Sequence, residues 1–115
     1  MNSPEKNSEQ PHSEFQDNLD LLRQTYFFSG LPLETLKVFA YLCIRERFDP
    51  GDYLFNQGEE DGQAFYFIEG RAELKREDDG QTRSIRSYGT GDFVGGLTLL
   101  SEMRRLYSLA AIVPC

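Results

Sequence analysis

The apolar positions of the chain change from a helical period to an alternating one about a third of the way along the sequence. The helical period begins behind a capping box at residues 13–16, in which a serine hydroxyl and a glutamine side chain can bond the first free amides of a helix. The apolar stripe that follows consists of Phe15, Leu19, Leu22 and Tyr26. Ser29 and Gly30 are typical of a helix end. The pattern therefore predicts a first amphipathic helix, preceded by a polar, flexible tail over residues 1–12.

A second helix is predicted directly after the first. Pro32 suits the first turn of a helix, because it lacks the amide hydrogen that would be unpaired there. The expected buried face of this helix consists of Leu33, Leu36, Phe39, Ala40 and Cys43.

Beyond this second helix the pattern indicates short strands separated by turns. Strands are predicted over residues 44–48, 53–55, 64–69, 71–77 and 81–88, with the aromatic and β-branched segment 64–69 as a central strand. Asp78, Asp79 and Gly80 give the strongest hairpin signal in the chain. The turn at residues 49–52 and the loop 56–62 separate the earlier strands. The fold class is therefore predicted to be α+β, with two helices ahead of an antiparallel sandwich or roll.

Composition narrows the classes of function. The chain has 115 residues, a net charge of −7 and a pI near 4.6, and it fits one globular domain over residues 13–115. Its basic residues are interleaved with acids, which argues against nucleic acid as a partner. No apolar run reaches membrane-spanning length and no signal peptide is recognisable. Two cysteines without metal-ligand spacing fit a reducing, cytoplasmic setting, with Cys43 predicted to be a buried free thiol.

The glycine-rich segment, residues 88–111, is the strongest candidate for chemistry. Four glycines fall within its first nine residues, and a short apolar stretch then leads to Arg104 and Arg105. Glycine-rich backbone that opens a short helix, with an arginine behind it, is suited to holding a phosphate group.

The sequence resembles the cyclic nucleotide-binding domain family, which includes catabolite-activator-type regulators, kinase regulatory subunits and gated channels. Three segments carry the resemblance: FSGL at residues 28–31, FDPGDYLFNQGE at residues 48–59 and FYFIEGRAE at residues 65–73. Together they span roughly residues 21–113, with a specific glycine spacing. The resemblance implies N-terminal helices followed by an antiparallel, jelly-roll-like β-roll. It also implies a regulatory function, with cAMP or cGMP as the ligand and no other cofactor.

The family's phosphate-binding cassette can be laid on this chain without gaps. Its pattern, F-G-E-L-A-L and then R-[ST]-A, places the cassette glycine on Gly95 and the phosphate-pairing arginine on Arg105. The implied ligand-binding residues are Gly95, Gly96, Leu97, Thr98, Arg105 and Leu106. Gly96 stands where the family has a glutamate that accepts from the ribose 2′-hydroxyl. Loss of such a bond costs about 1.5–3 kcal/mol, or about 10- to 150-fold in affinity.

Simpler interpretations of the same residues remain open. Arg104 competes with Arg105 as the phosphate ligand, either arginine could be a surface residue, and Gly95 and Gly96 could serve only as turn residues. Leu106 and Tyr107 replace the small residues of the family pattern and could crowd the pocket. The first interpretation is therefore a sensor of a cyclic nucleotide or another small phosphate. The second is a degenerate domain that serves as a protein interaction or structural module.

The remaining sequence features argue against catalysis. The sole histidine, His12, lies in the predicted tail, so neither a metal site nor a nucleophile–base pair is expected. The acids Glu59, Glu60 and Asp61 are predicted to be solvated loop residues. The chain also stops before the last strand and the C-terminal helices that the family adds, which predicts an exposed sheet edge and allows a homo-oligomer or a domain-swapped dimer.

Overall fold

The computed structural model describes the backbone of residues 4–115 and the side chains from residue 14 onwards. The chain divides into two compact units, Met1–Arg45 and Glu46–Cys115. The N-terminal unit contains α1 (Pro4–Gln24), a 3₁₀ turn (Tyr26–Phe28) and α2 (Leu33–Leu42). The two predicted helices are thus present, in the predicted order.

The core of the N-terminal unit lies between α1 and α2. Its buried apolar residues are Leu19, Leu22, Phe28, Leu36 and Ala40. Asn18 is also buried, and its amide nitrogen donates to the carbonyl oxygen of Ala40 at 3.4 Å while its amide oxygen accepts from Arg45 Nη2 at 3.2 Å. A buried side-chain amide with both ends bonded avoids the cost of unpaired polar atoms and fixes how the two helices meet.

Several details of this unit differ from the sequence prediction. Tyr26 and Leu33, which the pattern placed in the apolar stripes of the two helices, are 90% and 46% exposed. The predicted start of α1 at Ser13 is wrong, because the helix begins at Pro4, which suits a first helical turn. The side chain of Ser13 and residues 1–3 lie outside the described part, and the flexibility of residues 1–12 stays a prediction. Cys43 is exposed rather than buried. The helix ends at Leu42, and at Cys43 the backbone turns to extended angles, φ −67° and ψ 139°, so its side chain leaves the helical stripe.

The C-terminal unit consists of antiparallel strands. They are β1 (Tyr53–Phe55), β2 (Phe65–Tyr66), β3 (Arg71–Asp78), β4 (Gln81–Gly89), β5 (Phe93–Val94) and β6 (Ser108–Ala111). One sheet has the order β1-β6-β3-β4, and β2 pairs with β5 in a second sheet. The α+β prediction is confirmed. The buried residues of the core are Phe55, Phe67, Ala72, Val94 and Leu109.

The β3–β4 hairpin turns at the predicted position. Asp78 pairs with Gln81, and the two residues between them, Asp79 and Gly80, have φ of 52° and 79°. Positive φ at both central residues defines a type I′ turn, whose twist matches that of the two strands. The Asp-Gly signal is therefore confirmed.

One predicted strand is shorter than expected, and another is absent from the described chain. The segment 64–69 contributes only Phe65 and Tyr66 to a sheet, because the Phe67 amide donates to the Asp92 carbonyl oxygen and its own carbonyl oxygen accepts from Gly91. The segment 44–48 forms no strand in the described chain. Only Phe48 has a strand-like partner there, exchanging two backbone hydrogen bonds with Cys115 at 2.6 and 2.9 Å.

Candidate functional site

Arg105 is a buried cation just before β6, with 7% of its surface exposed. Its Nε lies 3.0 Å from Asp61 Oδ2, and its Nη2 lies 2.5 Å from Asp61 Oδ1. Nη2 also donates to the Gln63 carbonyl oxygen. The guanidinium carbon lies 3.8 Å from the centroid of the Phe55 ring, so the ring of a core residue covers one face of the cation. The buried charge is thus both paired and stacked.

One nitrogen of this guanidinium has no hydrogen-bond partner among the described residues. Arginine has five N–H donors, and both nitrogens that face Asp61 and Gln63 are engaged. Within residues 14–115, no hydrogen-bond acceptor contacts Nη1. A Cβ built on Gly95 would lie 2.8 Å from Nη1, which places this nitrogen directly against the Gly95 backbone. Asp61 therefore orients Arg105 so that the two N–H donors of Nη1, without a partner among the described residues, lie against Gly95.

Backbone hydrogen bonds join the Arg105 segment to the loop of residues 58–63, called here the acidic loop. The Arg105 amide donates to the Glu59 carbonyl oxygen at 2.7 Å, and the Gly58 amide donates to the Arg105 carbonyl oxygen at 2.8 Å. The exposed side chain of Arg104 also contacts this loop, donating to the Gly58 carbonyl oxygen at 3.3 Å and to Glu60 Oε2 at 3.1 Å. Of the two arginines, the structure turns Arg105 inwards and leaves Arg104 on the surface.

The charge of Asp61 is stabilised by its contacts. Burial alone would raise the pKa of this carboxyl. The hydrogen bonds from Arg105 and the Gln63 amide, together with the positive charge of Arg105, outweigh burial and hold the pKa below its usual value of 3.8. Asp61 is therefore ionised at neutral pH, and the Asp61–Arg105 pair is close to neutral as a whole.

The glycine-rich segment forms a left-handed turn followed by a short 3₁₀ helix, Gly96–Leu99, called here the cassette helix. Gly95 precedes it with φ 88°, a conformation that favours glycine. The amides of Gly96 and Leu97 lead the helix and have no acceptor within it. They lie next in sequence to Gly95, against which Arg105 Nη1 packs.

Leu97 and Leu106 are both largely exposed, at 62% and 60%. The carbonyl oxygen of Leu106 accepts from Arg76 Nη1 at 3.1 Å, and the Arg76 guanidinium lies 5.7 Å from the centroid of the Tyr107 ring. Leu106 thus lies largely on the surface, and whether it crowds a bound ligand stays a prediction. The structure places Gly95 against Arg105 with Gly96 and Thr98 in the adjoining helix, while the ligand-binding role of all six residues stays a prediction.

Asp61 is the residue that sequence reasoning missed. It was predicted to be a solvated acid of the loop, yet it carries the main contacts of the buried arginine. One signal was present: the adjacent acids Glu60 and Asp61 have a counterpart in the adjacent bases Arg104 and Arg105. Which of the two acids contacts the buried arginine depends on the path of the chain through the fold, and not on the local sequence.

Other kinds of site receive no support from the described chain. Within it, histidine, cysteine and acidic side chains form no group of three or more that could hold a metal ion. No helix in the part that the structure describes is long and apolar enough to cross a bilayer.

Comparison with known proteins gives a consistent result. A family model described as "Cyclic nucleotide-binding domain" matches residues 45–115. The chain is 31% identical over 78 residues to a cAMP-dependent protein kinase regulatory subunit of Mycosarcoma maydis, covering 68% of this chain and 15% of that protein. It is 40% identical over 63 residues to the lysophospholipase NTE1 of Phaeosphaeria nodorum, covering 54% of this chain and 4% of that protein. The chain thus spans a small part of either curated relative.

Solved structures show the same architecture. A cyclic nucleotide-binding-like protein from Brucella abortus matches with a TM-score of 0.74 and 26% identity, over 85% of this chain and 84% of that one. The regulatory domain of protein kinase A from Toxoplasma gondii, crystallised with cAMP, matches with a TM-score of 0.80 and 20% identity, over 90% of this chain and 40% of that one. The second similarity, at its low identity, supports the fold alone.

Proposed function

The chain belongs to the cyclic nucleotide-binding domain family, and on that premise we propose that it is a regulatory domain that binds a small phosphate-bearing ligand beside Arg105. One observation carries the proposal. The guanidinium is buried and held by Asp61, yet Nη1 is left over and packs against Gly95. A phosphate oxygen at that point would meet charge-assisted donors from Nη1, and the cassette helix begins at the residue after Gly95.

The ligands to test first are cAMP and cGMP, because cyclic nucleotides carry the phosphate that the family's cassette binds. Gly96 offers no carboxylate to a ribose hydroxyl. We therefore propose that either nucleotide binds about 10- to 150-fold more weakly than it would with a glutamate at this position. Inorganic phosphate has no ribose, so its affinity should not be lowered by glycine at position 96.

A second candidate function rests on Asp61. Its carboxylate already compensates the charge of Arg105, so the cation needs no external anion to be stable in its buried position. The domain would then be a degenerate module that contacts other proteins or stabilises a larger chain, without a nucleotide. The two candidates differ in whether any small phosphate binds.

Isothermal titration of the protein with cAMP, cGMP and inorganic phosphate separates the two functions. We expect measurable binding of at least one of them in the micromolar to millimolar range. Arg105→Ala should weaken that binding at least tenfold. Arg104→Ala, the matched control on the neighbouring exposed arginine, should leave it within about twofold.

Gly96→Glu provides a test by gain of function. Gly96 lies in the helical turn and not at a positive φ, so a glutamate fits its backbone. This variant should strengthen cAMP binding and leave phosphate binding unchanged or weaker. If neither nucleotide nor phosphate binds at millimolar concentration, even to Gly96→Glu, the degenerate module is the correct function.

The remaining expectations from the sequence concern catalysis, location, other partners and oligomeric state. We propose that the domain itself does not catalyse a reaction, since its candidate site offers a cation and amide donors for binding an anion. Its cytoplasmic location, the absence of nucleic acid as a partner and a homo-oligomeric or domain-swapped state stay predictions. Light scattering of the purified protein addresses the oligomeric state.

A further inference from the structure

The carbonyl oxygen of Gln63 joins two parts of the candidate site. It accepts a hydrogen bond from Arg105 Nη2, and it lies 3.0 Å from the Thr98 hydroxyl. A Cβ built on Gly95 would lie 3.1 Å from the same oxygen. The acidic loop, the buried arginine and the cassette helix therefore meet at one backbone acceptor.

Thr98 is the cassette-helix residue that reaches this acceptor. Its hydroxyl also lies 2.7 Å from the Gly95 carbonyl oxygen, one turn back in the same segment. Because a hydroxyl has a single proton, it either donates to one of the two carbonyls at a time or shares the proton between them. The Gly95 bond is local, whereas the Gln63 bond connects the helix to a loop distant in sequence.

We propose that Thr98 is a positioning residue that fastens the cassette helix to the acidic loop through the Gln63 carbonyl. The Thr98 hydroxyl and Arg105 Nη2 then share one acceptor, so the placement of the helix and of the guanidinium depend on each other. A movement of the cassette helix would change the acceptor that holds Nη2. This consequence for ligand binding rests on the function proposed above, but the fastening itself is a property of the ligand-free protein.

Amide hydrogen exchange of the ligand-free protein, followed by NMR, tests the fastening. The reporters are the Thr98 and Leu100 amides, which bond within the cassette segment, and the Gln63 amide, which bonds Asp61 Oδ1 at 3.0 Å. Thr98→Val keeps the branched shape and removes the hydroxyl. It should speed exchange at all three amides about two- to tenfold, the loss expected for one hydrogen bond. Thr98→Ser keeps the hydroxyl and should exchange as the wild type does.

The pattern of exchange decides the outcome. Acceleration at Thr98 and Leu100 but not at Gln63 would mean that the hydroxyl serves only the local Gly95 bond, and would overturn the proposal. Unchanged exchange in Thr98→Val, or equal acceleration in Thr98→Ser, would overturn it as well. Exchange in the β3–β4 hairpin is the internal reference and should not change. If Thr98→Val does not fold, Thr98→Ala, which also lacks the hydroxyl, is compared with Thr98→Ser in its place.

A titration with inorganic phosphate separates this proposal from the proposed function. If the fastening holds and phosphate binds, Thr98→Val should change the phosphate affinity at least twofold while Thr98→Ser does not. If phosphate does not bind to any variant, the exchange data still decide the role of Thr98. Unchanged affinity beside accelerated exchange would overturn the link between the fastening and the ligand.

Discussion

Replacement of Asp61 by asparagine measures how much the buried ion pair contributes to stability. The side chains of Arg105 and Asp61 are 6% and 21% exposed. Removing one partner of a buried pair costs about 3–5 kcal/mol, because the other charge stays buried without compensation. Asparagine keeps one acceptor oxygen, and Asp61 is partly solvated, so we expect Asp61→Asn to lower the free energy of unfolding by about 2–3 kcal/mol at pH 7.

The pH dependence of this loss identifies its cause. The pKa of Asp61 in the folded protein lies below its usual value of 3.8. The stability that comes from its charge is therefore fully present above the pKa of the unfolded chain, and it is lost as the pH falls through the lower pKa of the folded protein. The difference between wild type and Asp61→Asn should be constant from about pH 7 to pH 5.5 and should shrink below about pH 4.

Urea unfolding followed by circular dichroism at pH 7, 5.5, 4 and 3 provides the measurement. Glu60→Gln is the matched control, since Glu60 is the neighbouring acid and pairs with the exposed Arg104. An exposed pair contributes about 0–1 kcal/mol, so the control should change stability by no more than that at any pH. A loss in Asp61→Asn that stays the same at pH 3 and pH 7, or that is no larger than in the control, would refute the reasoning.

Two further predictions concern Gly95 and Cys43. Gly95→Ala should destabilise the protein by at least about 1 kcal/mol more than Gly91→Ala, because both positions have positive φ but only at Gly95 would the new methyl group crowd Arg105 Nη1 at 2.8 Å. Thermal unfolding of the two variants compares them, and equal losses would show that the contact at Gly95 relaxes freely. Cys43 is exposed, but partial desolvation of its thiol raises its pKa above 9.0, with Arg45 opposing the shift. Its alkylation by iodoacetamide, read by mass spectrometry, should be slow at pH 7 and accelerate up to and beyond pH 9, whereas fast labelling at pH 7 would contradict the raised pKa.

The fold was largely predictable because its signals are local. The helical positions Phe15, Leu19 and Leu22 and the Asp79-Gly80 turn each depend on residues close in sequence, and both are present where the pattern placed them. Tyr26, the last residue of the predicted stripe, instead lies in the 3₁₀ turn with 90% of its surface exposed. The resemblance to the family then supplied the roll topology, which no local signal contains. Cys43 shows the limit of a periodic pattern. The stripe of α2 continues through it in sequence, but the helix itself has already ended.

In the candidate site, the sequence predicted the arginine but not the groups that hold it. The register of the cassette pattern selected Arg105 over Arg104, and the structure buries Arg105. Its partner Asp61 could not be assigned, because the pairing requires the acidic loop to lie beside a segment more than forty residues later in the chain. The role of the Gln63 carbonyl was equally hidden, since a backbone oxygen has no signature in sequence.

The position of β6 has a consequence for how the chain folds. Among the described strands β6 is the last in chain order, yet it lies inside the larger sheet, between β1 and β3. During synthesis the β3–β4 hairpin can close on its own, whereas β1 has no neighbour in that sheet until β6 emerges. Pairing of β1 must therefore wait for loop closure over about fifty intervening residues, a slow step compared with hairpin formation. Until β6 pairs with it, Tyr53–Phe55 has no neighbour in the larger sheet, and its open edge is exposed to association with other chains.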